Sequence, residues 1–394
     1  MSQEQNYSNH ILGIAWLILL FFPVGNTFYA LVPLVFVCLY EYRKARFSIA
    51  NKWALGLIVA IFLSLLFNVL DIYIFSNKLI QRDITNAIIL FTFANLRGNT
   101  ILKSYIWFGL IYIFLSQISF VYNIPILTNF YDNVYHITSF YYEQLSIDNS
   151  NYDVGDAGVS LRLGGIYYNP NNCASFITLI FALGLCEQKQ FKRYELIAFC
   201  ALALIAIMFT GSRTSILVLL AMLCVYAYVN NKGSKLVVPI LLIVGILILS
   251  TLNLDFLKDF RMFKIEEGMN DSFGMKMSII SRYINYHADI FDLIFGAGGA
   301  EALVYKYNQH FAGTDCDLGD ILVSYGLLFY FLYISFYIAI YRKLKREYVV
   351  ILLVLMWMFS NTILFSYRMS SVWFLTLGVL YKKSITNSSN EVSI

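Results

Sequence analysis

Long apolar runs broken by short polar stretches dominate the chain. The runs centre near residues 11–22, 27–40, 53–75, 84–96, 104–121, 170–186, 195–210, 214–229, 236–252, 318–341, 348–363 and 371–381. Their length and the lack of strict alternation predict helices that cross a bilayer; a transmembrane barrel would alternate apolar and polar residues over segments of about ten. Several runs are shorter than the roughly 20 residues a bilayer needs, so flanking polar residues must complete them. The expected fold class is all-α, a polytopic integral membrane protein of about 12 transmembrane helices forming a single domain over residues 1–394.

The polar breaks sort by charge and length. Segments 41–52, 97–103, 187–195, 230–235, 342–347 and the tail from 381 hold 17 of the 28 Lys and Arg. Short basic loops face the cytoplasm, so both termini are expected inside. Two breaks are far longer, 122–169 and 253–317, and hold 15 of the 24 acidic residues. These are expected to be large extracytoplasmic loops, too aromatic for disorder. Within the second, Met275 to Phe295 is amphipathic at helical spacing, suited to lying on the membrane surface or packing over the bundle.

Composition agrees with this picture: 59% hydrophobic and 13% charged, against about 25% charged in ordinary globular chains. A net charge of +4 gives no reason to expect nucleic acid as a partner. Residues 1–10 lack Lys and Arg, and no small-residue cleavage pattern follows, so the first run is read as a membrane helix rather than a signal peptide. Cys38, Cys186, Cys200 and Cys224 sit in apolar segments. Cys173 and Cys316, near the mouths of the long loops, are the pair a disulfide would join, although free thiols are the expectation.

Arginine carries the strongest chemical signal. Thr210-Gly211-Ser212-Arg213-Thr214-Ser215 is the tip of a two-span hairpin with almost no loop. A cation there either snorkels to lipid phosphate or makes a fixed anion contact. Arg162 precedes Gly164-Gly165 and then Tyr167-Tyr168-Asn169-Pro170-Asn171-Asn172, a helix start with Pro in its first turn and Asn as cap. Backbone freed by glycine, an Arg and a helix N-terminus together suit phosphate; equally, Asn-Pro-Asn is simply a helix start.

The second long loop adds Arg282, the turn Gly296-Ala297-Gly298-Gly299, and Asp315-Cys316-Asp317-Leu318-Gly319-Asp320 leading into a helix. Asp317 and Asp320 share a helical face. Such carboxylates bind a divalent cation, act as a base, or form a solvated helix mouth. His287 and His310 lack metal-ligand spacing to a second His or Cys, and a structural or surface role is the commoner fate of each. Arg368, in the turn Tyr367-Arg368-Met369, is a further candidate.

Taken in order, these features resemble the O-antigen polymerase and O-antigen ligase superfamily of bacterial surface-polysaccharide assembly. The carriers are Arg162-Leu163-Gly164-Gly165 running into Asn169-Pro170-Asn171, the tip Thr210 to Arg213, Arg282 with Gly296-Ala297-Gly298, and the aromatic-Gly-Leu step Tyr325-Gly326-Leu327. They cover roughly residues 160–340. One departure stands out: where ligases and many polymerases have a His-Asn pair, this chain has Thr314-Asp315-Cys316-Asp317, with His310 upstream. That pattern is closer to polymerases whose loop ends in acidic-x-Asp.

The resemblance implies a membrane glycosyltransferase at the outer face of the bacterial plasma (inner) membrane. It would polymerise undecaprenyl-pyrophosphate-linked oligosaccharide repeat units into O-antigen or capsular polysaccharide, beside a chain-length regulator and a flippase. In it Arg162, Arg213 and Arg282 would bind pyrophosphate, with Asn169 and Asn171 at the helix start. Tyr167 and Tyr168 would stack on sugars, and Asp317, Asp315 or His310, in that order, would be the base. The family implies no cofactor and no metal. The alternatives are a flippase or transporter for the same lipid-linked sugars, disfavoured because its charges would lie within the spans, an O-antigen ligase, or a non-enzymatic scaffold.

Overall fold

The structure is a computed structural model. It describes residues 3–21, 49–70, 77–95, 100–122, 124–135, 163–167, 169–230, 280–281, 283–285, 289–299, 302, 316–359 and 363–391. Among these the secondary structure is entirely helical. The expected spans at 27–40 and 236–252 lie outside the described residues.

Helices occupy the other ten expected spans. They are α1 (Gln3–Phe21), α2 (Ile49–Leu70), α3 (Asn77–Asn95), α4 (Lys103–Val121), α6 (Pro170–Cys186), α7 (Arg193–Thr210), α8 (Arg213–Asn230), α10 (Asp317–Tyr341), a 3-10 helix (Arg346–Phe359) and α11 (Tyr367–Glu391). Two short helices, α5 (Pro125–Tyr135) and α9 (Ile290–Phe295), fall in the two long polar breaks. The amphipathic stretch from Met275 is thus helical at its end in α9, capped by the Asp289 side chain accepting from Asp292 N at 2.7 Å. By length and apolar composition two helices, α7 and α10, suffice to cross a membrane among the described residues; apolar segments at Asn6–Phe21, Lys52–Asn68, Pro170–Cys186 and Thr214–Asn230 are shorter.

Local sequence explains the ends. Asn169 caps α6 by accepting from Asn171 N at 2.8 Å, and Pro170, with no N–H to lose, opens the first turn. Gly211 ends α7 in the left-handed region at φ 63°, and α8 begins two residues later. α10 is broken at Gly326 (φ 74°, ψ −175°).

α6 is the central helix. Nearly every residue from Cys173 to Cys186 is buried, and α4, α7, α8, α11 and the 3-10 helix pack around it. A helix apolar all round needs neighbours on every side. α2 packs between α3 and α10, and α11 closes on α1 and α3. Indoles tie long separations: Trp16 donates to Thr376 Oγ1 at 3.1 Å and Trp373 to the Tyr337 hydroxyl at 3.0 Å. The outward faces are apolar too. Leu55, Val59, Phe62 and Leu66 on α2, Phe108, Ile111 and Leu115 on α4, and Phe331, Ile334 and Ile338 on α10 stand exposed at helical spacing. Continuous apolar stripes of this kind suit hydrocarbon and not water.

Candidate functional site

Hydrogen bonds identify which helix ends share one end of the bundle. Residues 163–167 dock on the ends of α4 and α7. Leu163 N donates to Phe209 O at 2.8 Å, and Gln117 Nε2 donates to Leu163 O at 3.3 Å and Ala206 O at 3.0 Å. Ile166 N donates to the Ser116 hydroxyl at 3.2 Å. Gly165 is required there: its φ is 54°, and a Cβ would lie 2.4 Å from Ser116 Oγ. The residue after Arg162 is therefore held against the last turn of α7, whose next residues form the tip Thr210 to Arg213. In that tip Ser212 and Ser215 are buried and joined hydroxyl to hydroxyl at 2.8 Å. Arg213 is the first residue of α8.

Tyr167 is buried, its hydroxyl donating to Leu20 O at 2.9 Å. One ring face stacks on Phe176 at 4.2 Å, and the Arg368 guanidinium lies 5.5 Å from the ring centroid. Its faces are thus occupied by protein groups rather than open to a sugar.

Asp317 opens α10 and is fully buried. Its carboxylate accepts from Ile363 N at 2.7 Å and from Leu364 N at 2.9 and 3.0 Å. It fixes the strap 363–366 that leads into α11 and so to Arg368. No disulfide joins Cys173 and Cys316.

The same strap reaches a second polar group through Phe365, which stacks with Tyr325 at 5.7 Å. The Tyr325 hydroxyl donates to Asp83 Oδ1 at 2.8 Å and accepts from Asn86 Nδ2 at 2.9 Å. Arg82 pairs with Asp83 at 2.9 Å, donates to Gly298 O at 3.1 Å, and lies 5.1 Å from the Tyr325 ring centroid and 5.6 Å from that of Phe365. The turn Gly296-Ala297-Gly298-Gly299 is thereby clamped to the break in α10. Ala297 N donates to Val323 O at 2.8 Å, and Asn68 Nδ2 donates to Gly296 O at 3.2 Å. The two glycines make this approach possible: a Cβ on Gly326 would lie 2.4 Å from Ile294 O, and one on Gly296 2.3 Å from Ser324 O.

Four sequence features far apart in the chain thus meet at one end: the Gly164-Gly165 segment with the start of α6, the hairpin tip, the Gly-x-Gly turn with the Tyr325-Gly326 step, and the acidic entry of α10. Asn169 serves as a cap and Asn171 is half-buried beside it. Arg162, Tyr168, Arg282, His310 and Asp315 lie outside the described residues, as does the Arg213 side chain. Sequence reasoning missed Arg82 and Asp83, which precede the apolar run 84–96; the adjacent opposite charges beside an apolar run were the available signal.

At the other end, Lys103 pairs with Glu195 at 3.0 Å, Lys189 with Glu347 at 3.2 Å and Lys383 with Glu187 at 2.6 Å. These are the residues of the short basic segments.

Residues 198–315 match the family model described as O-antigen ligase. The match runs from within α7 through the hairpin tip and the second long break to Asp315, so it contains Arg213, Arg282, the Gly-x-Gly turn and His310. No curated protein matches this chain.

Proposed function

We propose that this chain, whose residues 198–315 match a family model described as O-antigen ligase, is a membrane enzyme that transfers lipid-linked glycans, and specifically a repeat-unit polymerase. It would cross the bacterial plasma membrane about twelve times, with both termini cytoplasmic and the segments 122–169 and 253–317 outside. The observation that carries the reading is the bond from Leu163 N to Phe209 O. It brings the segment after Arg162 to the hairpin that bears Arg213, uniting two separate arginine motifs at one end of the bundle. The exposed apolar stripes of α2, α4 and α10 support the membrane setting, and the Lys–Glu pairs at the opposite end support its orientation.

In this reading an acceptor hydroxyl on the incoming lipid-linked repeat unit attacks the anomeric carbon of the growing chain. The bond from that carbon to the pyrophosphate oxygen breaks, and undecaprenyl pyrophosphate leaves with the electron pair. Negative charge grows on the leaving group, and the guanidinium groups of Arg162, Arg213 and Arg282 match it in bidentate geometry. The hydroxyl proton passes to Asp315 or His310. Asp317, with both oxygens already accepting backbone N–H groups, acts as a positioning residue that holds the strap before Arg368. Arg368, held over Tyr167 beside the start of α6, joins the anion-binding set. The activated donor is the lipid itself.

The ligase reading keeps one specific support, the description of the matching family; the acidic Asp315-Cys316-Asp317 pattern favours the polymerase. Surface-polysaccharide length on a gel separates the two, in a strain lacking the gene and complemented with wild type, Arg162→Ala, Arg213→Ala or Arg282→Ala at matched membrane expression. A single repeat unit on the lipid core in the variants supports the polymerase. Long chains that remain on their carrier establish the ligase, and loss of every repeat unit from the surface points to a flippase.

A further inference from the structure

An apolar groove runs along the outward side of the seam between α2 and α10, from Lys52 to the edge of the polar end just described. It has a volume of 390 Å³ and is lined by Lys52, Leu55, Gly56, Val59, Ala60, Leu63, Leu328 and Leu332. Every lining residue except Lys52 is apolar or small, and no carboxylate is among them. Lys52 is exposed, at the start of α2, and Arg43, Lys44 and Arg46 come shortly before it in the sequence.

The groove's geometry matches one leaflet of a bilayer. From Lys52 to Leu63 an α-helix rises about 16 Å, close to half of the roughly 30 Å hydrocarbon core. Its cation stands at one end only, beside the basic segment 41–52. Ser64 and Asn68, one and five residues past Leu63 on the same helix, bond to Ser324 and Gly296 at the polar end. Lys52 itself is therefore about 18 Å of helix from that network. Leu328 and Leu332, from the stretch of α10 just past the break at Gly326, form the second wall.

We propose that this groove is a binding site for an anionic phospholipid of the inner leaflet, with an acyl chain between α2 and α10 and the phosphate on Lys52. Charge complementarity selects the lipid class: a zwitterionic headgroup places a second cation beside Lys52, whereas an acidic one does not. Gly56 and Ala60 keep the floor of the groove low, so the chain lies against the seam rather than over it. A Cβ added at Gly56 would meet nothing nearer than Leu332 Cδ2 at 3.9 Å, so a larger side chain there fills the groove without disturbing the helix pair. The leaflet follows from the orientation proposed above; the site itself does not depend on the polymerase reading.

Native mass spectrometry of the full chain, released from detergent with phosphatidylglycerol or phosphatidylcholine of identical acyl chains, tests this. The expected result is one phosphatidylglycerol retained about fivefold better than phosphatidylcholine, with the preference abolished by Lys52→Gln and retention of both lipids lost in Gly56→Leu. Circular dichroism checks that each variant keeps its helix content, and the exposed Lys52 position carries the test alone if Gly56→Leu fails to fold. Equal retention of the two lipids, or a preference that survives Lys52→Gln, overturns the proposal. So does displacement of phosphatidylglycerol by equimolar undecaprenyl phosphate, which would assign the groove to the carrier. A dimer mass that disappears in Gly56→Leu would assign it to a second copy of the chain. None of these outcomes bears on the polysaccharide-length experiment, so the two readings fail separately.

Discussion

At the end of the bundle that holds Lys103, Lys189 and Lys383, charge meets charge: Lys103–Glu195 and Lys189–Glu347 are partly exposed, while Lys383 covers a buried Glu187. At the end that holds Asp317 and Arg368, charge meets backbone N–H groups and aromatic rings, and water is largely excluded. The two ends therefore stake different amounts of stability on each group. An exposed pair gains little because solvent already serves both partners, while a buried carboxylate that satisfies two backbone donors leaves both orphaned when it goes. The contrast also fits the division of labour proposed here. The polar end holds its site in place before substrate arrives, and the basic end needs only to stay in contact with water.

The largest effect that would sharpen this contrast is at Asp317. Asp317→Ala removes the acceptor for Ile363 N and Leu364 N and is expected to cost about 3 kcal/mol, read as a lower thermal midpoint in detergent. Asp317→Asn keeps one acceptor oxygen and should recover part of that loss and part of the polymer length. If the Asn variant recovers stability fully yet makes no polymer, Asp317 is a base and not a positioning residue. Next comes Gly326→Ala, where φ of 74° and the clash with Ile294 O combine to cost about 2 kcal/mol. A variant as stable as wild type would show that the Gly-x-Gly turn is not clamped to α10. The smallest effect is at the opposite end: Lys189, 77% exposed in its pair with Glu347, should lose no more than about 0.5 kcal/mol on replacement by Ala. A loss comparable to that at Asp317 would erase the distinction between the two ends.

What the sequence disclosed follows the range of the forces involved. The start of α6 was legible in full, because Asn169, Pro170 and Asn171 act within one turn. The α7–α8 hairpin was legible for the same reason, with Gly211 supplying the left-handed residue that ends one helix just before the next. α3 was misjudged at its start: the apolar run begins at 84, while the helix begins at Asn77 and takes Arg82 and Asp83 inside. Hydropathy assigns such charges to water, and cannot register that they pair with each other and are covered by Tyr325 and Phe365, more than 200 positions later. Asp317 was legible as a candidate by its place at a helix entry. Its partners, two backbone N–H groups across 46 and 47 positions, have no side-chain signature at all. Tyr167 illustrates the same limit, since an aromatic beside a helix start reads alike whether it greets a sugar or, as found, lies between Phe176 and Arg368.

The 3-10 helix from Arg346 to Phe359 has a bearing on span length. At about 2.0 Å per residue its 14 residues reach about 28 Å, against about 21 Å in α form. The stretched winding lets a segment too short by ordinary count run from Glu347, paired with Lys189 at the basic end, nearly the full depth of a bilayer core. Its pitch, not its residue count, makes it long enough.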